Sequence, residues 1–129
     1  MRHHSHGFTL IELLVVVAII GILSAVGVVS YSGYKSSAEK KQAEITLNSI
    51  YLAEQEYKSN NNGEYYYSTS TSNLVTNLFD GIDDLSEQAY LFSTTNANTL
   101  TIIATKKSDS NCRISITQTN KKPNSTSAC

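Results

Sequence analysis

One long hydrophobic stretch lies close to the N-terminus of the chain. Residues 8–34 contain a single charged side chain, Glu12, and the positions from Phe8 to Val29 are mostly apolar. As an α-helix, Phe8 to Val29 would extend over about 33 Å, close to the hydrocarbon thickness of a bilayer. The pattern predicts a membrane-spanning helix. A simple membrane anchor remains an alternative, whereas an ordinary signal peptide would have only about 7–15 apolar residues.

A second helical pattern follows in residues 35–58. Apolar side chains recur there at spacings of three and four, which places them on one face of a helix: Ala43, Leu47, Ile50, Tyr51 and Tyr57. The charged residues are expected to fall largely outside this face: Glu39, Lys40, Lys41, Glu44 and Glu54. Asparagines and a glycine at residues 60–63 predict the helix end. The helix is therefore expected to continue from the first stretch and to lay its apolar face on a folded head.

Residues 59–129 are predicted to form that head. A polar loop is expected over residues 59–73, and its tyrosines, Tyr65–Tyr67, form either an exposed contact patch or a cover for the helix or sheet edge. Residues 74–79 fit a short helix or a short strand. Strand signals rich in β-branched and aromatic residues follow at 89–94, 99–105 and 112–119. Leu100, Ile102 and Ala104 alternate with Thr101, Ile103 and Thr105, and Ile114 and Ile116 alternate with Ser and Thr. The three signals predict a three-stranded antiparallel meander with one buried face, and an α+β fold class with a long N-terminal helix packed on a small sheet.

Charge sets few limits on function. Ten basic and eleven acidic residues give a formal net charge of -1, so no strong global field points to nucleic acid or anionic lipid. Five basic residues lie near the predicted strand ends and in the tail: Lys106, Lys107, Arg113, Lys121 and Lys122. They form either a DNA-contact patch, with strongly salt-dependent binding, or a set of scattered solvated side chains.

Neither a metal site nor a catalytic site is predicted. His3, His4 and His6 precede the hydrophobic stretch, and the chain has no other histidine to complete a site. An acidic cluster comprises Asp80, Asp83, Asp84 and Glu87. Its spacing does not match an EF-hand loop, so a solvated acidic loop is expected rather than a calcium site. With no Gly-rich phosphate loop and no catalytic constellation, neither enzymatic activity nor a bound cofactor is expected.

Glu12 is the most informative residue of the hydrophobic stretch. A carboxylate in a membrane helix costs about 2.5–3.5 kcal/mol, and a favourable position near the helix N-terminus returns only about 0.3–1 kcal/mol. A partner charge from another molecule is therefore expected. A free amine at Phe8 would supply that charge if the chain were cut between Gly7 and Phe8.

These residues carry a resemblance to a known family. Residues 7–23 read GFTLIELLVVVAIIGIL, which resembles the class III signal of type IV prepilins and pseudopilins. The leader MRHHSHG is short, basic and ends in glycine, as in the type IVa subgroup. The resemblance is strong over about residues 1–34 and only architectural over the remainder.

The resemblance implies a route of processing and assembly. A membrane prepilin peptidase would cut after Gly7 and methylate the new amine of Phe8, and Glu12 would pair with the Phe8 amine of a neighbouring subunit. Before assembly the chain would be a single-pass protein of the inner membrane, in contact with lipid. The inner-membrane pilus assembly machinery would then incorporate it into an extracellular filament. Its parts would be a leader, a filament-core helix half, an amphipathic helix half and a head, at residues 1–7, 8–34, 35–58 and 59–129.

One departure from the family concerns the helix. Val29 stands where many type IVa pilins have proline, a residue that kinks a helix. Gly21 and Gly27 each weaken a helix by about 1 kcal/mol relative to alanine. Local melting over residues 21–29 is thus an alternative to a continuous helix.

The chain has two cysteines, both in its C-terminal part. Cys112 and Cys129 would lie in the oxidising compartment beyond the membrane, where a disulfide is the expected state; a reactive thiol pair is the alternative, but it lacks a CxxC spacing. In pilins a comparable C-terminal disulfide loop is called the D-region and is often exposed on the filament.

The predicted function is a structural pilin that serves adhesion, twitching motility or DNA uptake. The alternatives are a pseudopilin of a type II secretion system and a minor DNA-uptake (competence) pilin.

Overall fold

A computed structural model of the chain describes residues 4–82, 85–95 and 98–129. The predictions that fall on His3, Asp83 and Asp84 lie outside the described residues. The elements are α1 (Leu10–Asn60), α2 (Thr71–Leu78), a short 3₁₀ helix (Leu85–Glu87), β1 (Tyr90–Thr95), β2 (Thr101–Lys106), β3 (Asp109–Thr117) and β4 (Asn124–Ser125). The chain divides into two compact units, Met1–Ser37 and Ala38–Cys129.

The first unit contains the hydrophobic part of α1. The helix is continuous through Gly21 and Gly27. Of the two alternatives for residues 21–29, the structure therefore has the continuous helix and not local melting. The large apolar side chains of this part of α1 are all exposed, by between 49% at Val15 and 84% at Leu10. By length and composition α1 is able to cross a membrane.

The second unit is built around one hydrophobic core. Ala43, Leu47 and Ile50 on α1 are buried in the same cluster as Ile102 on β2 and Ile114 on β3. The spacing of three and four along α1 and the alternation along the strands therefore identified the core face of each element. The α+β fold class is confirmed.

The sheet has four strands, in the order β1-β2-β3-β4, with every neighbouring pair antiparallel. Phe92 pairs with Ala104, and Ala104 pairs with Ile114, so apolar side chains line up across the sheet on the buried face. The predicted three-stranded meander is thus correct for β1 to β3 but omits β4. Two polar residues form β4, and the alternation of apolar and polar positions gives no signal for them.

The irregular part of the head also differs from prediction. α2 begins at Thr71, inside the expected loop, and ends at Leu78, so residues 74–78 are helical rather than extended and Phe79 follows the helix. Of the three tyrosines in the loop, Tyr65 is buried, Tyr66 is half-buried and only Tyr67 is exposed. The run therefore serves mainly as a cover for the head.

Glu54 corrects the expectation that the charged residues of α1 lie outside its buried face. Its side chain is completely buried, with an exposed fraction of 0%. Glu54 follows Ile50 by four residues and Leu47 by seven, a spacing that puts all three on one helix face. The expectation rested on charge and overlooked this position.

Candidate functional site

The start of α1 is closed by two reciprocal hydrogen bonds. The backbone N–H of Thr9 donates to Oε2 of Glu12 over 3.0 Å, and the backbone N–H of Glu12 donates to Oγ1 of Thr9 over 3.3 Å. This is the capping box, in which the residue before the helix and the third helical residue satisfy each other's N–H groups. Glu12 therefore has a local partner as well as a favourable place near the positive end of the helix dipole.

The capping role of Thr9 was missing from the sequence interpretation. The signal was present, because Thr9 and Glu12 form the pattern T-x-x-E directly before an apolar run. The hydrogen bonds satisfy two backbone donors, but they leave the charge of the Glu12 carboxylate without a cation. The capped helix start can therefore still accept a positive group.

Phe8 and Glu12 lie side by side at the surface. Together with Leu13 and Val16 they line an open depression of about 430 Å³. The Phe8 side chain is 88% exposed, so its ring is free to contact another molecule. The depression combines one carboxylate with apolar walls, which suits a partner that brings both a cation and hydrophobic surface.

Gly7 has no steric need to be glycine within this chain. A Cβ atom at Gly7 would meet nothing within 4 Å, and its backbone is not in the left-handed region that favours glycine. Any requirement for a small residue at this position would therefore come from another molecule, such as a peptidase.

The same N-terminal segment is similar to segments of known proteins. A family model described as the prokaryotic N-terminal methylation motif matches residues 2–28. The type IV major pilin protein PilA of Myxococcus xanthus (strain DK1622) is 38% identical over 55 residues, which are 43% of this chain and 25% of that protein. The N-terminal segment therefore carries the methylation motif and is similar to the corresponding part of type IV pilins. A fimbrial protein of Neisseria meningitidis serogroup B (strain ATCC BAA-335 / MC58) is 37% identical over 70 residues, 54% of this chain and 41% of that protein.

The similarity to these pilins is concentrated in part of their length. The chain spans about a quarter to two fifths of the curated relatives it matches, and no solved structure gives a significant match. The architecture nevertheless agrees with the pilin fold, since a long apolar N-terminal helix is followed by a small antiparallel sheet.

The predicted disulfide is present. Cys112 on β3 and Cys129 at the end of the chain are bonded, with their Cα atoms 4.7 Å apart. Thr126 adds hydrogen bonds beside it. The Thr126 N–H donates to the carbonyl of Arg113 over 2.9 Å, and Thr126 Oγ1 donates to the carbonyl of Asn111 over 2.7 Å. The tail is thereby fixed along β3.

The tail also contacts α1 within the second unit. The Lys40 ammonium donates to Oγ of Ser125 over 3.2 Å. The Lys121 ammonium lies over the Tyr51 ring, 5.0 Å from its centroid, which is cation–π geometry. The disulfide, the hydrogen bonds and the cation–π contact together fix the C-terminal tail to both β3 and α1.

The five basic candidates for DNA contact do not gather in one patch. Lys106 and Lys107 lie at the β2–β3 turn, where the Lys107 ammonium donates to the carbonyl of Ser86. Lys121 and Lys122 follow the other end of β3, about 27 Å away at roughly 3.3 Å per residue. Arg113 lies between them, and its Nε donates to the carbonyl of Ser110 over 3.2 Å. One copy of the chain thus offers two small separated groups of positive charge.

Of the acidic cluster, Asp80 and Glu87 lie within the described residues. Within residues 4–82, 85–95 and 98–129, no group of three or more His, Cys, Asp or Glu side chains is arranged to hold a metal ion.

Proposed function

We propose that this chain is a structural subunit of a type IV pilus, cut after Gly7, N-methylated at Phe8 and assembled through the N-terminal part of α1. One observation carries the proposal: the first unit is a helix with exposed apolar side chains all round and a single carboxylate at its start. A helix that is hydrophobic on every side needs lipid or other protein around it. The inner membrane provides the first environment and the filament core the second.

The charge of Glu12 favours the filament over the membrane. In lipid the carboxylate keeps the one hydrogen bond that it accepts from the Thr9 N–H, and its charge remains costly. In the filament the methylated amine of Phe8 from another subunit keeps its positive charge and would pair with Glu12. Such a buried pair is most valuable for fixing register, because a neighbour shifted along the axis would leave both charges unpaired.

The partners follow from this route. They are membrane lipid before assembly, a prepilin peptidase and the inner-membrane assembly machinery during it, and other pilin subunits after it. The final location is an extracellular filament that serves adhesion, twitching motility or DNA uptake. The disulfide-bonded tail favours this assignment over a pseudopilin of a type II secretion system.

The test is intact-mass analysis and N-terminal sequencing of filaments sheared from cells that express the chain. We expect an abundant chain that begins at N-methylated Phe8 and is two mass units light for the disulfide. A cleaved chain confined to the membrane fraction would instead indicate a pseudopilin or a minor pilin, including a competence pilin. An uncut chain in every fraction would exclude the proposed processing.

A further inference from the structure

The second unit contains a buried acid that the proposed assembly does not use. Glu54 on α1 is 0% exposed. Its Oε2 accepts the backbone N–H of Tyr66 over 2.8 Å. Its Oε1 has no hydrogen-bond partner among the residues that the structure describes. A buried ionised carboxylate normally needs several donors or a cation, so this site is poorly equipped for a negative charge.

The segment that Glu54 contacts covers an edge of the sheet. We call residues 64–70 the cover segment. Thr94 on β1 fixes it at two points, because its Oγ1 donates to the carbonyl of Tyr66 over 2.9 Å and its backbone N–H donates to the carbonyl of Ser68 over 2.8 Å. The Tyr66 ring also packs edge-on against Tyr57 with centroids 5.4 Å apart. Glu54 is therefore the acidic group by which α1 holds the cover segment over β1.

The groups around Glu54 do not neutralise it. Lys58, one helical turn further along α1, directs its ammonium to the Tyr65 hydroxyl over 3.3 Å and lies over the same ring. Glu64, at the start of the cover segment, is exposed. α2 has no titratable side chain. The remaining titratable side chains of residues 51–70 and of β1 are the exposed Glu56 and six tyrosines: Tyr51, Tyr57, Tyr65, Tyr66, Tyr67 and Tyr90.

Burial raises the pKa of the Glu54 carboxyl from its ordinary value of 4.5 to about 7, and the hydrogen bond from Tyr66 opposes the shift only in part. The folded head then binds the proton more tightly than an opened head does. The stabilisation is complete below pH 4.5, is lost as pH rises through about 7, and does not change further above it.

We propose that Glu54 is a proton-dependent latch for the cover segment: the neutral carboxyl keeps the segment on the head, and loss of the proton favours its release. Release breaks the hydrogen bonds of Ser68 to Thr94 and uncovers the outer edge of β1. An uncovered strand edge is a template for pairing with another chain. The latch belongs to the second unit and operates whether or not the first unit assembles into a filament.

The test is amide hydrogen exchange of the full chain in detergent micelles between pH 5 and 8, corrected for the intrinsic pH dependence of exchange. In the native chain we expect protection of the Tyr66 and Ser68 amides to fall by about two orders of magnitude over this range. Glu54→Gln should abolish the dependence. The matched control Glu56→Gln, at an exposed position of the same helix, should retain it.

Two results would overturn the latch. One is pH-independent protection in the native chain, and the other is an equal loss of the dependence in Glu56→Gln. Should Glu54→Gln fail to fold, a carboxyl ¹³C titration of the native chain decides the matter. A midpoint near 7 for Glu54 supports the latch, whereas a midpoint near 4.5 contradicts it.

Discussion

Glu12 and Glu54 both lie on α1, and the charge of each carboxylate must be compensated when the group is removed from water. Oε2 of the exposed Glu12 accepts the N–H of Thr9, and Oε2 of the buried Glu54 accepts the N–H of Tyr66. Each bond satisfies a backbone donor, yet neither brings a positive charge to the carboxylate. Removal from water therefore leaves each group with two options, a cation or a proton. We assign the Phe8 amine of another subunit to Glu12 and a bound proton to Glu54.

Thr9→Ala tests the cap at the start of α1. The substitution removes the acceptor of the Glu12 N–H and should weaken the first helical turn by about 0.5–2 kcal/mol. Amide exchange of residues 10–13 in micelles should accelerate accordingly. Thr9→Ser keeps the hydroxyl and serves as the control. Equal exchange in the two variants would mean that the capping box contributes nothing.

Glu12→Gln separates the charge of Glu12 from its capping function. Glutamine still accepts the Thr9 N–H, but it cannot neutralise an amine. We expect Glu12→Gln and Glu12→Val to be processed normally and to remain in the membrane, with filament yield below a tenth of the native level. Electron microscopy and quantitative blots of sheared filaments provide the measurement. Abundant filaments from Glu12→Gln would show that capping, not charge pairing, is what assembly needs.

At the scale of elements, the C-terminal tail gains its order from β3. β4 comprises only Asn124–Ser125, and so short a strand has little stability alone. The disulfide at Cys112 and the bonds of Thr126 to Asn111 and Arg113 supply the rest. The tail should consequently detach as one piece when the disulfide is lost.

Cys129→Ser should release that tail. A disulfide that closes a loop of this size contributes about 3 kcal/mol, and the remaining hydrogen bonds are exposed to water. Cleavage by a lysine-specific protease at Lys121 and Lys122 should accelerate at least tenfold, as followed by mass spectrometry. Ser127→Ala, an exposed change in the same tail, should cleave at the native rate. Unchanged cleavage of Cys129→Ser would argue that the hydrogen bonds alone hold the tail.

For the whole molecule, features that follow a periodic sequence pattern could be predicted, whereas contacts between segments distant in sequence could not. The spacing of Leu47 and Ile50 and the alternation at Ile102 and Ile114 predicted the core, because burial on one face leaves a regular trace. The pairing of β4 with β3 and the position of Tyr66 in the loop depend on tertiary hydrogen bonds, which leave no periodic pattern in the sequence. Glu54 follows the period of the buried helix face, but its charge argued against burial. The N-terminal site was predicted from a motif, whereas its capping geometry needed the structure.

Gly7→Leu tests the passage of the whole chain from membrane to filament. Since a Cβ atom at Gly7 would meet nothing within 4 Å, we expect leucine to leave the fold of the chain intact and to act on recognition by the peptidase. An uncut chain has no free amine at Phe8, so Glu12 of a neighbour would lack its cation and the chain should stay in the membrane. Intact mass should show a precursor that retains all seven leader residues, while the smaller substitution Gly7→Ala should still be processed at least in part. Normal processing of Gly7→Leu would place the cut elsewhere and would remove the Phe8 amine from the assembly site.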